Sequence, residues 1–430
     1  MDYTILTRFR PQAFASFLCA GGAVFNICNV LLCETQVRTL PELSLLLSFE
    51  CPWPSIYKAL EDGFIDNKRL RHAAVQALLH DRWPYKTLWI SVDRSSITSL
   101  EGSTSEDWSI NYMSNLLHTV ELVSVSWQFS TVILLSYISS SWIGILDQKR
   151  ISTTQTALVV ASMQLRVLVP LLKRSVILVA DRSYATLKFL SACSDCSELG
   201  CRVIICLNRN RMLYCVPVWK HAYGVPSNDG LLFQGSRAET QGQPNEQWID
   251  YQQDKPITMS RWEGLHLREA RQVSLYLVQV QGDHTKDTKR DHRESWFVLL
   301  DEHILLSLGA GIYGRHFSHE HGYRFLKQQL LWTKDHVSTS KQYERGSVLI
   351  AVAQKQLVLT HELENAMVRS WERSCERPVI SQQVRHGTST ILSQIGTPAR
   401  VCKPHRKSPE LAKGFHPQSV KRFKEIYASE

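Results

Sequence analysis

Two short apolar runs, each ending in an aspartate, constrain this chain more than any other feature. Leu88-Trp-Ile-Ser-Val-Asp93 and Val176-Ile-Leu-Val-Ala-Asp181 have the near-continuous apolar character of strands covered on both faces. A strand that ends in a carboxylate delivers it to the edge of an α/β sheet, where such folds assemble their sites. A single aspartate after an apolar run is ordinarily a turn or helix cap. The pair gains meaning only if a third element supplies a partner.

The rest of the pattern sets these runs in a mixed α/β fold. Residues 12–85 carry apolar residues at helical spacing, in Leu43, Leu46 and Leu47 and in Leu70, Ala73, Ala74 and Leu78, with Pro41 and Glu42 opening the first helix. Two short helices joined tightly fit a helix-turn-helix and a plain helical hairpin equally well. From Thr87 the period changes to that of strands. Two further strands are predicted within Val120 to Ile145, a helix over 153–173, another over Ala185 to Ala192, and a strand at Val203 to Leu207. Residues 208–262 turn polar, and strand-like runs follow at Leu275 to Val280 and Trp296 to Leu300. Helical spacing returns over Phe317 to Leu331 and Val348 to Trp371. The division predicted is an N-terminal helical region for DNA binding or dimerisation (1–85), a core in two parts (86–207 and 301–372), a β-rich insertion between them (208–300), and a basic C-terminal segment (373–430).

The third element is Tyr313-Gly-Arg315-His316-Phe-Ser-His-Glu320-His-Gly-Tyr-Arg-Phe-Leu-Lys327. On a helix, offsets of four and seven return to one face, so His316, Glu320 and Lys327 are presented together. Two aspartates from neighbouring strands and a glutamate from a helix are hard oxygen ligands of the kind that hold Mg²⁺ against phosphate oxygens.

This segment resembles the Tyr-x-x-Arg-x-x-x-Glu-x6-Lys signature of bacterial insertion-sequence DDE transposases, with Tyr313, Glu320 and Lys327 matching it. The resemblance extends to Trp127-Gln-Phe-Ser130, Asp181-Arg-Ser-Tyr184, Asn208-Arg209-Asn-Arg211, and Gly396-Thr-Pro-Ala399 with Lys407-Ser-Pro409, spanning residues 40–425 or so. It implies a ribonuclease-H-like mixed sheet flanked by helices. Asp93, Asp181 and Glu320 become the catalytic and metal-holding triad, with Mg²⁺ as the cofactor and Mn²⁺ as its substitute. Tyr313, Arg315, His316, Lys327, Arg209 and Arg211 become DNA contacts. The implied partners are double-stranded DNA, as element ends and target, and a second copy of the chain. Two positions depart from the family: His316 stands where it has Arg, and Ser183 where it has Gly. Arg carries a permanent charge and a planar fork, whereas His is mostly neutral at pH 7. A decayed relative that binds DNA without cutting it is therefore the alternative.

Composition agrees with a globular nucleic-acid protein. Of 430 residues, 44% are hydrophobic and 21% charged, and 49 Lys and Arg face 40 Asp and Glu. That net charge of +9 favours a polyanionic partner. The run from Cys402, including Lys403, His405, Arg406, Lys407, Lys413, Lys421, Arg422 and Lys424, reads either as a solvated tail or as a segment tracking phosphates. Eleven irregularly spaced cysteines with no cleavable leader predict reduced thiols and a cytoplasmic protein, nucleoid-associated when bound to DNA. The apolar stretch Gln12 to Cys33 is interrupted by Gly21, Gly22, Asn26 and Asn29, which predicts buried helices and no membrane span.

Other motifs are weak. Gly309-Ala-Gly311-Ile-Tyr-Gly314 lacks a surrounding βαβ unit. Cys193, Cys196, Cys201 and Cys206 make only one proper zinc half-site. The histidines around Glu320 satisfy neither metalloprotease spacing, and there is no G-x-S-x-G elbow or P-loop.

Overall fold

The computed structural model describes residues 3–34, 39–46, 48–51, 54–79, 86–98, 107–112, 123–135, 142–197, 199–218, 227–252, 255–282, 294–301, 304, 316, 318–333, 337, 339–364 and 381–399. The chain opens with α1 (Thr4–Phe14), β1 (Phe17–Cys19), α2 (Gly21–Cys33), α3 (Leu40–Leu43), α4 (Pro54–Asp62), β2 (Phe64–Ile65) and α5 (Asn67–Leu78). Local chemistry sets several of these ends. The Asp66 carboxylate accepts from the Arg69 amide at 2.9 Å and starts α5. Thr39 caps α3, but the helix stops after four residues, short of Leu46. There the Ser44 hydroxyl donates back to the Pro41 carbonyl at 2.6 Å, an alternative to continuing the helix.

A large mixed sheet follows. Its strands are β3 (Thr87–Thr98), β4 (Ser109–Tyr112), β5 (Val123–Leu135), β6 (Ile143–Ile151), β7 (Ser175–Ala180), β8 (Cys201–Leu207), β9 (Met212–Cys215), β10 (Leu232–Gln234), β11 (Glu246–Gln252), β12 (Lys255–Leu267), β13 (Ala270–Gly282) and β14 (Glu294–Leu299). The order is β10-β9-β12-β13-β14-β8-β7-β3-β5-β4, with β11 added to β12 and β6 to β5. Only β3 with β7 and β7 with β8 pair in parallel; the other pairs are antiparallel. Parallel neighbours need crossover helices, and α6 (Ala157–Leu172) and α7 (Leu187–Ser197) supply them. The insertion extends this sheet rather than standing apart, because β14 pairs with β8.

The sheet separates two apolar cores. Leu88, Ile90 and Val92 of β3 and Val176, Leu178 and Ala180 of β7 face one, together with α6 and α7. Trp89, Ile177 and Val179 face the other, which also takes in the N-terminal helices and the three last ones: α8 (Ser318–Gln328), α9 (Ser340–Glu364) and α10 (Ser381–Ile395). Each fully buried aliphatic side chain contributes about 1.5–3 kcal/mol. The N-terminal helices thus share a core with helices more than 300 residues later in sequence. Arg385 of α10, 1% exposed, ties them by donating to the carbonyls of Leu31, Glu34 and Gln329, at the C-terminal ends of α2 and α8.

The strand predicted to end at Asp93 runs on to Thr98. The polar stretch Arg94 to Thr98 stays extended because it pairs with Ser126 to Ser130 of β5. Strand β4 and helix α10 lie in regions where no such element was expected. Among the described residues no helix is long and apolar enough to cross a membrane. Cys193, Cys196, Cys201 and Cys206 are free, with the first three buried, whereas Cys51 is disulfide-bonded, unlike the uniform thiols expected. The Gly309 to Gly314 motif and the basic run from Cys402 lie outside the described residues.

Helix α8 reaches the sheet through Gly322. A Cβ there would collide with Ile143 Cδ1 and lie 2.8 Å from Cγ1, and Ile143 is itself buried. Gly322→Ala is expected to destabilise the protein by about 1–3 kcal/mol through overpacking. Urea unfolding of a double-mutant cycle checks this: the cost should shrink in an Ile143→Ala background, and an unchanged cost would contradict the packing argument.

Candidate active site

The in-register pairing of β3 with β7 ends at Val92 opposite Ala180. The next step of the same register sets Asp93 beside Asp181, with backbones about 5 Å apart at ordinary sheet spacing. Alternation directs both side chains to the face covered by α8, since Val92 and Ala180 point into the opposite core. On β5, Thr131 pairs with Asp93, and on β6, Gln148 pairs with Thr131. Four neighbouring strands therefore carry one polar row across an otherwise apolar sheet face. Both side-chain polar atoms of Gln148 are buried without a hydrogen-bond partner among the described residues.

Helix α8 lies along β3 and is fastened to it at three levels. Ser91 Oγ lies 2.7 Å from His316 Nδ1 and 3.2 Å from His319 Nδ1, so one hydroxyl can donate to one ring and accept from the other. The Tyr323 hydroxyl donates to the Asp93 carbonyl at 3.0 Å, and Lys327 Nζ donates to the Ser96 carbonyl at 3.0 Å. His319, Tyr323 and Lys327 are spaced by four and share one side of the helix. Glu320, one residue round, is exposed in the first turn, where a negative charge suits the helix dipole.

The electrostatics show which groups meet. The Asp93 carboxyl is pushed up to about 6, first by burial and then by the charges of Asp181 and, less strongly, Glu320, against the Arg94 amide that donates to it at 2.7 Å. Burial lowers His316 below the ordinary histidine range although Asp181 and Glu320 oppose the shift; buried His319 is lowered further. Burial also lowers Lys327, with Asp93 acting to raise it. Asp93, Asp181, Glu320, His316 and Lys327 thus form one electrostatic cluster. His316 enters it as a neutral ring bonded to Ser91, and so does not supply the cation that an Arg would.

Arg209 and Arg211 follow β8, which runs parallel to β7, so their loop leaves the same sheet edge as Asp181. Both are exposed, and Arg209 pairs with Glu294 at 3.3 Å. Neither appears in the field of the acids. Tyr313 and Arg315 lie outside the described residues. Sequence reasoning passed over Ser91, Thr131, Gln148 and Tyr323. The polar interruption of a buried strand at Ser91 was the one available signal; the others depend on strand register.

A divalent cation suits this donor set: three carboxylates, one raised by its like-charged neighbours, are relieved by positive charge. As arranged, no three His, Cys, Asp or Glu side chains among the described residues stand close enough to ligate one ion. The coupling among the acids acts over longer range than ligation. Exposed Glu320 has rotamer freedom to close that gap. No protein-family model matches the chain, and no curated protein is similar to it.

A carboxyl raised on folding stabilises the protein at low pH, and that contribution is lost as pH rises from the unfolded value near 4 through about 6. With chelator present, Asp93→Asn is therefore expected to melt above the native protein at pH 8, by an amount on the order of 1–3 kcal/mol. The advantage should vanish near pH 4. Melting curves across pH 4–8 check this, and a pH-independent difference would contradict it.

Proposed function

We propose that this chain is a DNA transposase of the DDE class, which cuts and rejoins DNA strands at the ends of its own insertion sequence. The observation that carries the reading is the electrostatic meeting of Asp93, Asp181 and Glu320, supplied by two adjacent parallel strands and one helix. The strand order β6-β5-β3-β7-β8 supports a ribonuclease-H-like core. It combines an antiparallel β3-β5-β6 meander, β7 and β8 parallel to β3, and crossover helices after β6 and β7. The β insertion between the second and third acids and the resemblance around Glu320 support the same reading.

Asp93, Asp181 and Glu320 would hold Mg²⁺ or Mn²⁺. When bound, such a cation supplies charge stabilisation at the scissile phosphate and lowers the pKa of the attacking hydroxyl. The chain's residues do the remaining work. Burial of Asp93 under α8 keeps water from screening the acids. Lys327, fixed at Ser96 and within the field of Asp93, contributes positive charge beside the phosphate. Arg209, Arg211, Arg315 and Tyr313 are assigned to the DNA backbone, whose contacts position the duplex without reading its sequence. The protein would work as a dimer on paired DNA ends, in the cytoplasm and on the nucleoid.

One observation favours a second reading, a relative that binds DNA without cutting it. His316 replaces the Arg of the transposase signature and is buried, bonded to Ser91 and shifted towards neutrality. Incubating the protein with a plasmid carrying the DNA that flanks its gene, with Mg²⁺ or Mn²⁺, separates the two. The proposal expects metal-dependent nicking, abolished in Glu320→Gln with DNA affinity retained. Binding without nicking by the native protein would establish the second reading, and neither binding nor nicking would overturn both.

A further inference from the structure

The turn after Asp181 holds a residue that packing alone does not explain. Arg182–Tyr184 form a single 3-10 turn, closed by the Tyr184 amide donating to the Asp181 carbonyl at 2.9 Å. Tyr184 is 1% exposed, and its ring meets Phe189 edge to face at 5.0 Å, so the side chain has little freedom. Its hydroxyl is buried with no hydrogen-bond partner among the described residues. An unsatisfied buried hydroxyl costs about 1–3 kcal/mol, and phenylalanine would fill the same space without that cost. The surroundings suggest a use for it. The charges of Asp93 and Asp181 both act on this hydroxyl, with Arg94 opposing them, and the Tyr323 side chain lies within the same field. The ring packs in the core on one side of the sheet, while its oxygen feels the acid row at the strand ends.

We infer that Tyr184 is a positioning residue of the acid cluster, its hydroxyl orienting the Asp93–Asp181 pair for a divalent cation. The inference rests on the metal-holding role proposed above for those two acids. Each carboxylate accepts only a few hydrogen bonds. Asp93 takes one from the Arg94 amide, which leaves its second oxygen available to a fixed donor. A donor set into the turn directly after Asp181 is locked to the backbone that carries the second acid. It therefore holds one orientation without an entropy cost at the moment of binding.

The test uses the full chain and Mn²⁺ alone, following the melting temperature as metal is added. Tyr184→Phe should melt, without metal, at or above the native temperature, because it removes an unpaired buried hydroxyl. It should need roughly tenfold or more Mn²⁺ for the half-maximal shift, the usual loss when an outer-sphere partner of a metal ligand is removed. Phe189→Leu is the control: it loosens the same ring and should lower the metal-free melting temperature while keeping the native Mn²⁺ response. A native response in Tyr184→Phe would overturn the inference. So would an equal loss in Phe189→Leu, or a Tyr184→Phe chain that fails to fold, since either makes the residue structural. If the native protein itself shows no Mn²⁺ shift, the metal site falls and this inference falls with it. A native shift paired with an unchanged Tyr184→Phe removes the inference alone.

Discussion

Everything at the candidate site depends on the parallel pairing of β3 with β7. Six residues of each strand are in register, from Thr87 opposite Ser175 to Val92 opposite Ala180. Because side chains alternate strictly, that register puts Asp93 and Asp181 on the same face at the same level. A slip of one residue would send either acid into the apolar core with α6 and α7. The register is held by burial on both faces: Leu88, Ile90, Val92, Val176 and Leu178 are fully buried on one side, with Trp89, Ile177 and Val179 on the other. The fold therefore offsets the cost of two neighbouring carboxylates with an apolar lattice on either side of them.

The second constraint is the close seat of α8. Gly322 lets the helix approach Ile143, and Tyr323 and Lys327 bond the backbone of β3 on either side of the acid row. This seat desolvates Asp93, and desolvation is the largest cause of its raised pKa. The histidines on the same helix follow the same physics in the opposite direction, becoming neutral, which leaves the cluster short of positive charge near Glu320. An acidic site with a raised carboxyl and no compensating Arg has most to gain from a bound cation.

Much of the core was legible from the chain, for identifiable reasons. The runs at 88–92 and 176–180 are short, purely apolar and followed by polar residues, so their type and approximate ends follow from burial alone. The β character of the insertion follows from its Trp-, Val- and Tyr-containing runs, but its joining to the main sheet through β14 and β8 is a long-range pairing that no local pattern encodes. Helix α10 was missed because its buried positions, Val384, Thr388, Ile391 and Leu392, are few and partly polar, set in a stretch rich in Ser, Thr and Gln. The continuation of β3 past Asp93 was missed because Arg94-Ser-Ser looks like a turn until β5 is there to pair with it. At the site, the acids were visible as residues. Their neighbours Thr131, Gln148 and Tyr184 became relevant only through strand register and burial.

The central claim is that Asp93, Asp181 and Glu320 hold a divalent cation together. Anomalous diffraction from crystals of the native protein grown with Mn²⁺ tests it most directly. The account predicts at least one Mn²⁺ peak whose first coordination sphere includes carboxylate oxygens of Asp93 and Asp181, at about 2.0–2.3 Å as for small hard cations, with Glu320 turned in to join them. Full Mn²⁺ occupancy elsewhere on the protein, with the three carboxylates apart and unligated, would contradict it.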